Sequence, residues 1–159
     1  MKDGQTHGRE NFSKAMSKIR ILIIGLGRIG KIHLANLQAV DEVEIIGICD
    51  PTDEAKAFSN KAGLTFYQKD FTDVASEVQT DAIVICSPTD THANYVSLAA
   101  KKGIDVFCEK PLDLSLKKVK EVLKTVSESK IKLMLGFNRR FDSEFQSVKE
   151  KIVKGEIGD

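Results

Sequence analysis

The stretch GLGRIG, residues 25–30, decides the fold, because it spaces three glycines as G-x-G-x-x-G between an apolar run and a segment of helical length. A strand that turns directly into a helix needs Gly25 for the tight turn and Gly30 for close packing of the helix on the strand. Gly27 lets the backbone approach a pyrophosphate. The helix N-terminus offers N–H groups and the positive end of its dipole to those phosphates.

Asp50 supports the same interpretation, because it ends the next apolar run and lies twenty residues past Gly30. A carboxylate there accepts hydrogen bonds from both hydroxyls of a ribose, each worth about 1.5–3 kcal/mol, and repels a 2′-phosphate. No Arg or Lys occurs in the five residues after Asp50. The pattern therefore favours NAD over NADP. The alternative is that Asp50 only caps the turn with Pro51.

Short apolar runs alternate with amphipathic segments along the chain, which is the pattern of βαβ units. Because strand–helix–strand crossovers are right-handed, six such runs predict an α/β fold with a doubly wound, mainly parallel six-stranded sheet in three layers, α/β/α. Gly63 and Gly103 stand where two of the helices are expected to stop. The predicted strands are residues 19–25, 43–49, 64–67, 82–86, 105–108 and 132–137.

Two segments near the end of the chain carry apolar stripes at helical spacing, which predicts one packed face on each helix. The first stripe consists of Leu116, Val119, Leu123 and Val126, and the second of Phe141, Phe145, Val148 and Ile152.

Small polar residues follow the fourth predicted strand in the segment CSPTDTH, residues 86–92. In a doubly wound sheet, ligands bind at the carboxyl ends of the strands, so Ser87, Thr89 and His92 are candidates for cofactor contacts. Helix capping is the other interpretation, since Ser, Thr and Asp favour that position. A packed, hydrogen-bonded side chain is predicted for His33, which shares a helical face with Gly30.

Glu109-Lys110-Pro111 follows the fifth strand and brings two charges to the same edge. Lys110 is a candidate to hold a substrate hydroxyl and share in its proton transfer. Glu109 pairs with Lys110, orients the cofactor, or forms only a surface ion pair. Lys110–Pro111 is a candidate cis bond. After the sixth strand, Arg139 is either a solvated charge or a substrate or cofactor ligand.

Composition excludes several classes of function. The 24 Lys and Arg residues balance 23 Asp and Glu residues, which gives no electrostatic case for nucleic acid. The longest apolar runs are too short to span a bilayer, and no signal-peptide pattern begins the chain. The three cysteines lack metal-ligand spacing, so they are interpreted as small buried hydrophobes in a reducing cytoplasm, and no metal site is predicted.

Five motifs in this order and at these spacings resemble the glucose-fructose oxidoreductase / inositol dehydrogenase / MocA family, with inositol 2-dehydrogenases as the nearest likeness. The resemblance covers residues 18–159. The motifs are GLGRIGKIH, ICDP, CSPTDTHANY, EKP and GFNRRFD.

The resemblance implies a Rossmann domain of a two-domain, NAD-dependent dehydrogenase that oxidises a secondary alcohol of a cyclic polyol or sugar. It implies that Glu109 approaches the nicotinamide and that Lys110 is the catalytic lysine, working with an aspartate and a histidine of a second α+β domain. That domain commonly carries the oligomer interface. The residues implied to hold the pyrophosphate, the adenosine ribose and the rest of the cofactor are Gly25, Gly27, Arg28, Ile29, Gly30, Asp50, Ser87, Thr89 and His92.

These observations divide the chain into a polar, disordered extension at residues 1–17, a dinucleotide-binding domain at 18–154, and the start of the second domain at 155–159. The sequence is then the cofactor half of an enzyme, with little activity by itself. The alternative is a free-standing, non-catalytic dinucleotide-binding module or sensor.

Overall fold

The structure is a computed structural model that describes residues 17–157 and contains a six-stranded sheet. The strand order is β3-β2-β1-β4-β5-β6, and every neighbouring pair is parallel. This confirms the predicted fold class. The strands are β1 (Ile19–Ile24), β2 (Val43–Cys49), β3 (Phe66–Tyr67), β4 (Ala82–Ile85), β5 (Asp105–Cys108) and β6 (Leu133–Leu135).

Helices connect the strands in the alternation that the sequence predicts. Gly63 and Gly103, which follow the C-caps of two of them, have φ values of +66° and +71°, the left-handed conformation that ends a helix. The helices are α1 (Arg28–Gln38), α2 (Asp53–Lys61), α3 (Phe71–Val74), α4 (Thr89–Lys101), α5 (Leu116–Ser129) and α6 (Ser143–Val153), with a 3₁₀ turn at Asn138–Phe141.

The sheet lies between two hydrophobic clusters, so the predicted three layers are present. Alternate residues of β1 face opposite ways: Ile23 packs with Leu34 of α1, and Leu22 packs with Val96 of α4. The central strands are buried on both faces, which explains why they are continuous apolar runs in the sequence.

The predicted third strand is shorter than expected. The Leu64 N–H donates to the carbonyl oxygen of Ser59 at the end of α2, at 3.0 Å, so this residue still belongs to the helix terminus. The strand therefore begins only at Phe66, which pairs with Ile48.

The strand register aligns the carboxyl ends of the sheet. Ile24 pairs with both Cys49 and Ile85, and Cys108 pairs with both Ile85 and Leu135. The residues that follow these positions therefore lie in one row along the edge. They are Gly25, Asp50, Cys86, Glu109 and Gly136.

The two predicted helical stripes are only partly right. In α5 the buried residue is Val122, 3% exposed, whereas Leu116 and Leu123 are 68% and 48% exposed. The helix thus packs on a face rotated by about one residue from the predicted stripe. On and before α6, all four residues of the second stripe are exposed.

The predicted disordered extension falls on residues 1–17 and lies almost wholly outside the described part. The proposed start of a second domain is described only to residue 157. Among the helices of residues 17–157, none is both long and apolar enough to cross a membrane.

Candidate functional site

The glycine turn between β1 and α1 is closely packed at its ends and open in its middle. Gly25 has a φ of +87°, and a Cβ atom added to it would lie 2.6 Å from the Ser87 nitrogen. A Cβ on Gly30 would lie 2.1 Å from the Gly25 carbonyl oxygen. A Cβ on Gly27 would meet nothing within 4 Å. Only Gly27 therefore faces free space, as a position that a ligand approaches should.

The first turn of α1 has the properties of an anion-binding helix N-terminus. Gly27 is the N-cap and has no side chain to cap the free N–H groups of Arg28, Ile29 and Gly30. The first turn of this helix contains no acidic residue. The unsatisfied N–H groups and the positive dipole end are therefore available to a negatively charged ligand such as a diphosphate.

Asp50 lies at the end of β2 beside the glycine turn and is 8% exposed. Its Oδ2 accepts a hydrogen bond of 2.8 Å from the Leu26 N–H, and its Oδ1 accepts from both the N–H and the hydroxyl of Thr52. The carboxylate thus caps the turn at Thr52 and also links β2 to the glycine loop through Leu26. Of about four lone-pair positions on a carboxylate, one remains on Oδ2 for a ligand.

Ser87 lies in the turn between β4 and α4, Thr89 is the first residue of α4, and both are half-buried. The hydroxyl oxygens of Ser87 and Thr91 are 2.6 Å apart, and the Thr91 hydroxyl donates to the Pro88 carbonyl oxygen at 2.8 Å. Pro88 is the N-cap of α4 and forms no side-chain cap. The Ser87 and Thr91 hydroxyls therefore form their hydrogen bonds within the turn. The side-chain cap that the helix-capping interpretation requires is not formed at the N-terminus of α4.

His92 is placed differently from the other candidates of this segment. Its side chain is 2% exposed, and its two ring nitrogens contact the carbonyl oxygens of Ser87 and Pro111 at 2.9 and 2.8 Å. Both polar atoms of the ring are thus engaged inside the protein. The predicted cofactor contact of His92 stays a prediction, and a contact through either ring nitrogen would require one of these two contacts to break.

Glu109 forms its side-chain hydrogen bond with His33 of α1, and not with the Lys110 ammonium. Glu109 Oε1 and His33 Nε2 are 2.9 Å apart, and both side chains are largely buried. The His33 ring also packs edge-on against Phe107, with centroids 5.0 Å apart. The predicted packed and hydrogen-bonded state of His33 is confirmed, with Glu109 as its partner.

Lys110 is exposed at the same edge, and the Lys110–Pro111 bond is cis. The Lys110 N–H lies 3.3 Å from Glu109 Oε2. A pocket of about 500 Å³ is lined by Lys110 and Arg139, among others. The Arg139 guanidinium lies 4.4 Å from the centroid of the Phe145 ring. Arg139 is thus near Lys110 and is held over an aromatic face.

Two residues of this edge were not among the predicted site residues. Thr52 donates twice to Asp50, and Gly136 stands against Glu109, where an added Cβ would be 3.1 Å from Oε1. A sequence signal existed for Thr52, which precedes a helix as a typical N-cap. Gly136 was missed because the sixth strand was predicted as residues 132–137, whereas β6 ends at Leu135 and Gly136 directly follows it.

The three cysteines are free thiols, and their environment agrees with their interpretation as buried hydrophobes. Cys49 and Cys108 are buried, and Cys86 is half-buried. Burial is the main cause that raises the pKa of each thiol to about 12. The thiols are therefore protonated at neutral pH. Within residues 17–157, no cluster of three or more His, Cys, Asp or Glu side chains is arranged to hold a metal ion.

A glycine turn that opens a helix, an acidic residue one strand away and a lysine at the same edge define a Rossmann-type dinucleotide-binding domain. Residues 19–137 match the GFO_IDH_MocA family, described as an oxidoreductase family with an NAD-binding Rossmann fold. The chain belongs to this family, and its cofactor is NAD.

Known relatives lead to the same family. The chain is 39% identical to an inositol 2-dehydrogenase of Rhizobium meliloti and to a myo-inositol 2-dehydrogenase of Thermotoga maritima, over 89% and 88% of its length. It is similar to the crystal structure of scyllo-inositol dehydrogenase from Lactobacillus casei with bound NAD(H) and scyllo-inositol, with a TM-score of 0.80, 29% identity and 90% of this chain covered.

The chain spans less than half of these relatives. It covers 42% of the length of each of the two dehydrogenases and 43% of the crystallised chain.

Proposed function

We propose that this chain is the cofactor half of an NAD-dependent dehydrogenase that oxidises a secondary hydroxyl of a cyclic polyol or sugar, with inositol as the nearest substrate by likeness. The observation that carries the proposal is the alignment of the glycine turn, Asp50 and Lys110 along one sheet edge in a chain whose relatives are inositol dehydrogenases. Residues 18–154 form the cofactor domain, and residues 155–159 begin the substrate domain.

The glycine turn and Asp50 bind the adenosine half of the cofactor in this proposal. The pyrophosphate lies over Gly27 and accepts hydrogen bonds from the N–H groups of Arg28, Ile29 and Gly30. Gly25 keeps the turn tight beneath it. The free lone pair of Asp50 Oδ2 accepts a ribose hydroxyl, and a second ribose hydroxyl takes the position that the Thr52 hydroxyl now occupies on Oδ1.

The loops after β4 and β5 bind the other half of the cofactor. Ser87 and Thr89 line it, with His92 behind them. Glu109 lies at the nicotinamide end, held in place by His33. The row of strand ends supports this order, because Asp50 and Glu109 lie on opposite sides of the glycine turn.

Lys110 is the catalytic lysine in this proposal. Its ammonium is exposed and donates to the substrate hydroxyl, which polarises the oxygen from which a proton leaves. NAD accepts the hydride when it is bound. Arg139 lines the same pocket and is a candidate cofactor or substrate contact.

The second domain supplies the remaining groups, an aspartate and a histidine that accepts the hydroxyl proton. General acid–base help is worth about 10²–10⁴-fold, so the 159-residue chain should turn over little by itself. The second domain also forms the interface of a homo-oligomer.

Free, protonated thiols suit a reducing compartment, so we place the protein in the cytoplasm.

Calorimetric titration with NAD and NADP tests the cofactor assignment. We expect the wild type to bind NAD at least about tenfold more tightly than NADP, because a hydrogen bond to a charged group is worth about 1.5–3 kcal/mol and Asp50 repels a 2′-phosphate. Asp50→Asn keeps the shape of the side chain and removes its charge. This substitution should weaken NAD binding and reduce the preference for NAD over NADP.

Asp81→Asn is the matched control, because Asp81 is an exposed aspartate that pairs with Arg20 at the opposite end of β1. It should change neither affinity. Equal binding of NAD and NADP by the wild type, or unchanged NAD binding by Asp50→Asn, would show that the cofactor assignment is wrong.

The alternative of a free-standing dinucleotide-binding module is not favoured. The relatives named above are dehydrogenases, and no described feature points to a sensor or regulatory partner.

A further inference from the structure

His92 occupies an unusual place between two loops of the site. It lies in the first turns of α4, and its ring is 2% exposed. Nε2 contacts the carbonyl oxygen of Ser87 in the turn after β4, and Nδ1 contacts the carbonyl oxygen of Pro111 in the loop after β5. One buried side chain thus bridges the two segments that carry most of the candidate residues of the nicotinamide half.

The chemistry of these contacts restricts the form of the ring. A carbonyl oxygen only accepts hydrogen bonds, and a neutral imidazole has only one N–H. At least one ring N–H therefore donates to one of these two carbonyl oxygens, and the tautomer decides whether that oxygen belongs to Ser87 or to Pro111. The buried ring fills the space between the two loops.

The bridge begins where the sheet ends. The last backbone bond between these segments runs from the Glu109 N–H to the Ile85 carbonyl oxygen, at 2.9 Å. Beyond it the chain turns into Ser87 on one side and Lys110 on the other, and the ladder no longer holds them together. The His92 ring lies at that level, with one ring nitrogen within 2.9 Å of a carbonyl oxygen of each segment.

We propose that His92 is a positioning residue whose buried ring, in contact with both carbonyl oxygens, holds the Pro111 loop, with Lys110, against the Ser87 turn. The inference rests on the proposed function, because it concerns the nicotinamide half of that site. It assigns His92 no contact with the cofactor.

Nitrogen NMR tests the hydrogen bonding of the ring directly. The sequence has three histidines, so the ring signals of chain labelled with ¹⁵N-histidine at pH 7 can be assigned by comparison with His33→Gln and His7→Gln. We expect a His92 ring N–H that exchanges slowly with solvent, because the ring is buried and a carbonyl oxygen accepts its hydrogen. A His92 ring N–H that exchanges as fast as that of a free imidazole would overturn the bridge.

Ligand binding tests the positioning role. His92→Gln should weaken NADH binding about tenfold, because an anchor of the nicotinamide-side loop is lost, and should change ADP-ribose binding less than about twofold. ADP-ribose keeps the adenosine and diphosphate groups and lacks the nicotinamide. Tyr95→Phe is the control, since Tyr95 is buried on the same helix and its hydroxyl bonds Asp70, away from both loops. It should leave the NADH to ADP-ribose ratio unchanged.

The outcomes separate this inference from the proposed function. An equal loss of NADH and ADP-ribose affinity in His92→Gln, or no loss of either, would overturn the positioning role. A wild type that binds neither ligand would overturn the proposed function instead, and the exchange rate of the His92 ring N–H in the unmodified chain would then decide whether His92 bridges the two loops.

Discussion

Gly30 and Gly27 lie in one turn but are glycine for different reasons. A methyl group on Gly30 would overlap the Gly25 carbonyl oxygen, at 2.1 Å, and that oxygen belongs to the packed backbone of the turn. We expect Gly30→Ala to lower the free energy of unfolding by about 3 kcal/mol or more, as overpacking does when no side chain can move away. Urea denaturation followed by circular dichroism measures the loss.

Gly27→Ala is the matched control at the same turn. Its added methyl group meets no protein atom within 4 Å and its φ of −67° suits alanine, so stability should change by less than about 1 kcal/mol. The methyl group lies where the diphosphate is proposed to approach, so NAD affinity should fall. A strongly destabilised Gly27→Ala, or a stable Gly30→Ala, would contradict this account of the turn.

The role of a single residue could be predicted from the sequence where that role depends on the local backbone. Gly25 and Gly30 could be identified because their spacing expresses a constraint on the turn itself. The partner of Glu109 could not be identified, since His33 is 76 residues away and reaches it only through the packing of α1 on the sheet. The burial of His92 likewise depends on a loop that follows a different strand.

At the scale of elements, the strands were more predictable than the helix faces. Central parallel strands are buried on both sides, so a run such as residues 82–86 marks them without ambiguity. A helix buries only part of its circumference, and in α5 the apolar residues 116, 119, 122, 123 and 126 allow two neighbouring faces. The sheet selects the face that contains Val122.

The contrast between α5 and α6 gives a prediction about helix packing. Val122 is 3% exposed in the larger core cluster, and Val148 is 49% exposed on α6. Val122→Ala should lower the free energy of unfolding by about 2 kcal/mol, because it opens a cavity. Val148→Ala, the same chemical change, should cost less than about 0.5 kcal/mol. Equal losses in urea denaturation would mean that α6 packs on the sheet in solution.

At the scale of the whole molecule, the cofactor could be predicted from the residues of this chain. The substrate could be predicted only from the resemblance to inositol dehydrogenases. The candidate cofactor site is built from backbone turns and strand ends within residues 17–157. The chain covers 42% of the length of its dehydrogenase relatives, so the rest of their length could not be compared with residues of this chain. Lys110 and Arg139 line one pocket of the described residues.

The stability of the whole chain should depend on pH at both ends of the scale. Burial alone would raise the pKa of Asp70, but hydrogen bonds from Thr72 and Tyr95 outweigh it and lower that pKa below 3.8, while bonds from Arg20 lower the pKa of Asp81. Stabilisation by these carboxylates is present above about pH 4 and is lost as the pH falls through their folded-state pKa values. Urea denaturation as a function of pH should show the decline.

The alkaline side has the opposite sign, because burial raises the pKa of three thiols from 9.0 to about 12. Their contribution to the free energy of unfolding is complete below pH 9 and is lost as the pH rises from 9 towards 12, by about 1.4 kcal/mol per pH unit for each thiol.

Cys108→Ala, measured under reducing conditions, should therefore make the alkaline decline in stability shallower by about that amount. The cavity it creates shifts the whole curve without changing this slope. An identical slope in the wild type and in Cys108→Ala would mean that the Cys108 thiol ionises equally easily in the folded and unfolded chain, and that the strand ends beneath the site are open to water.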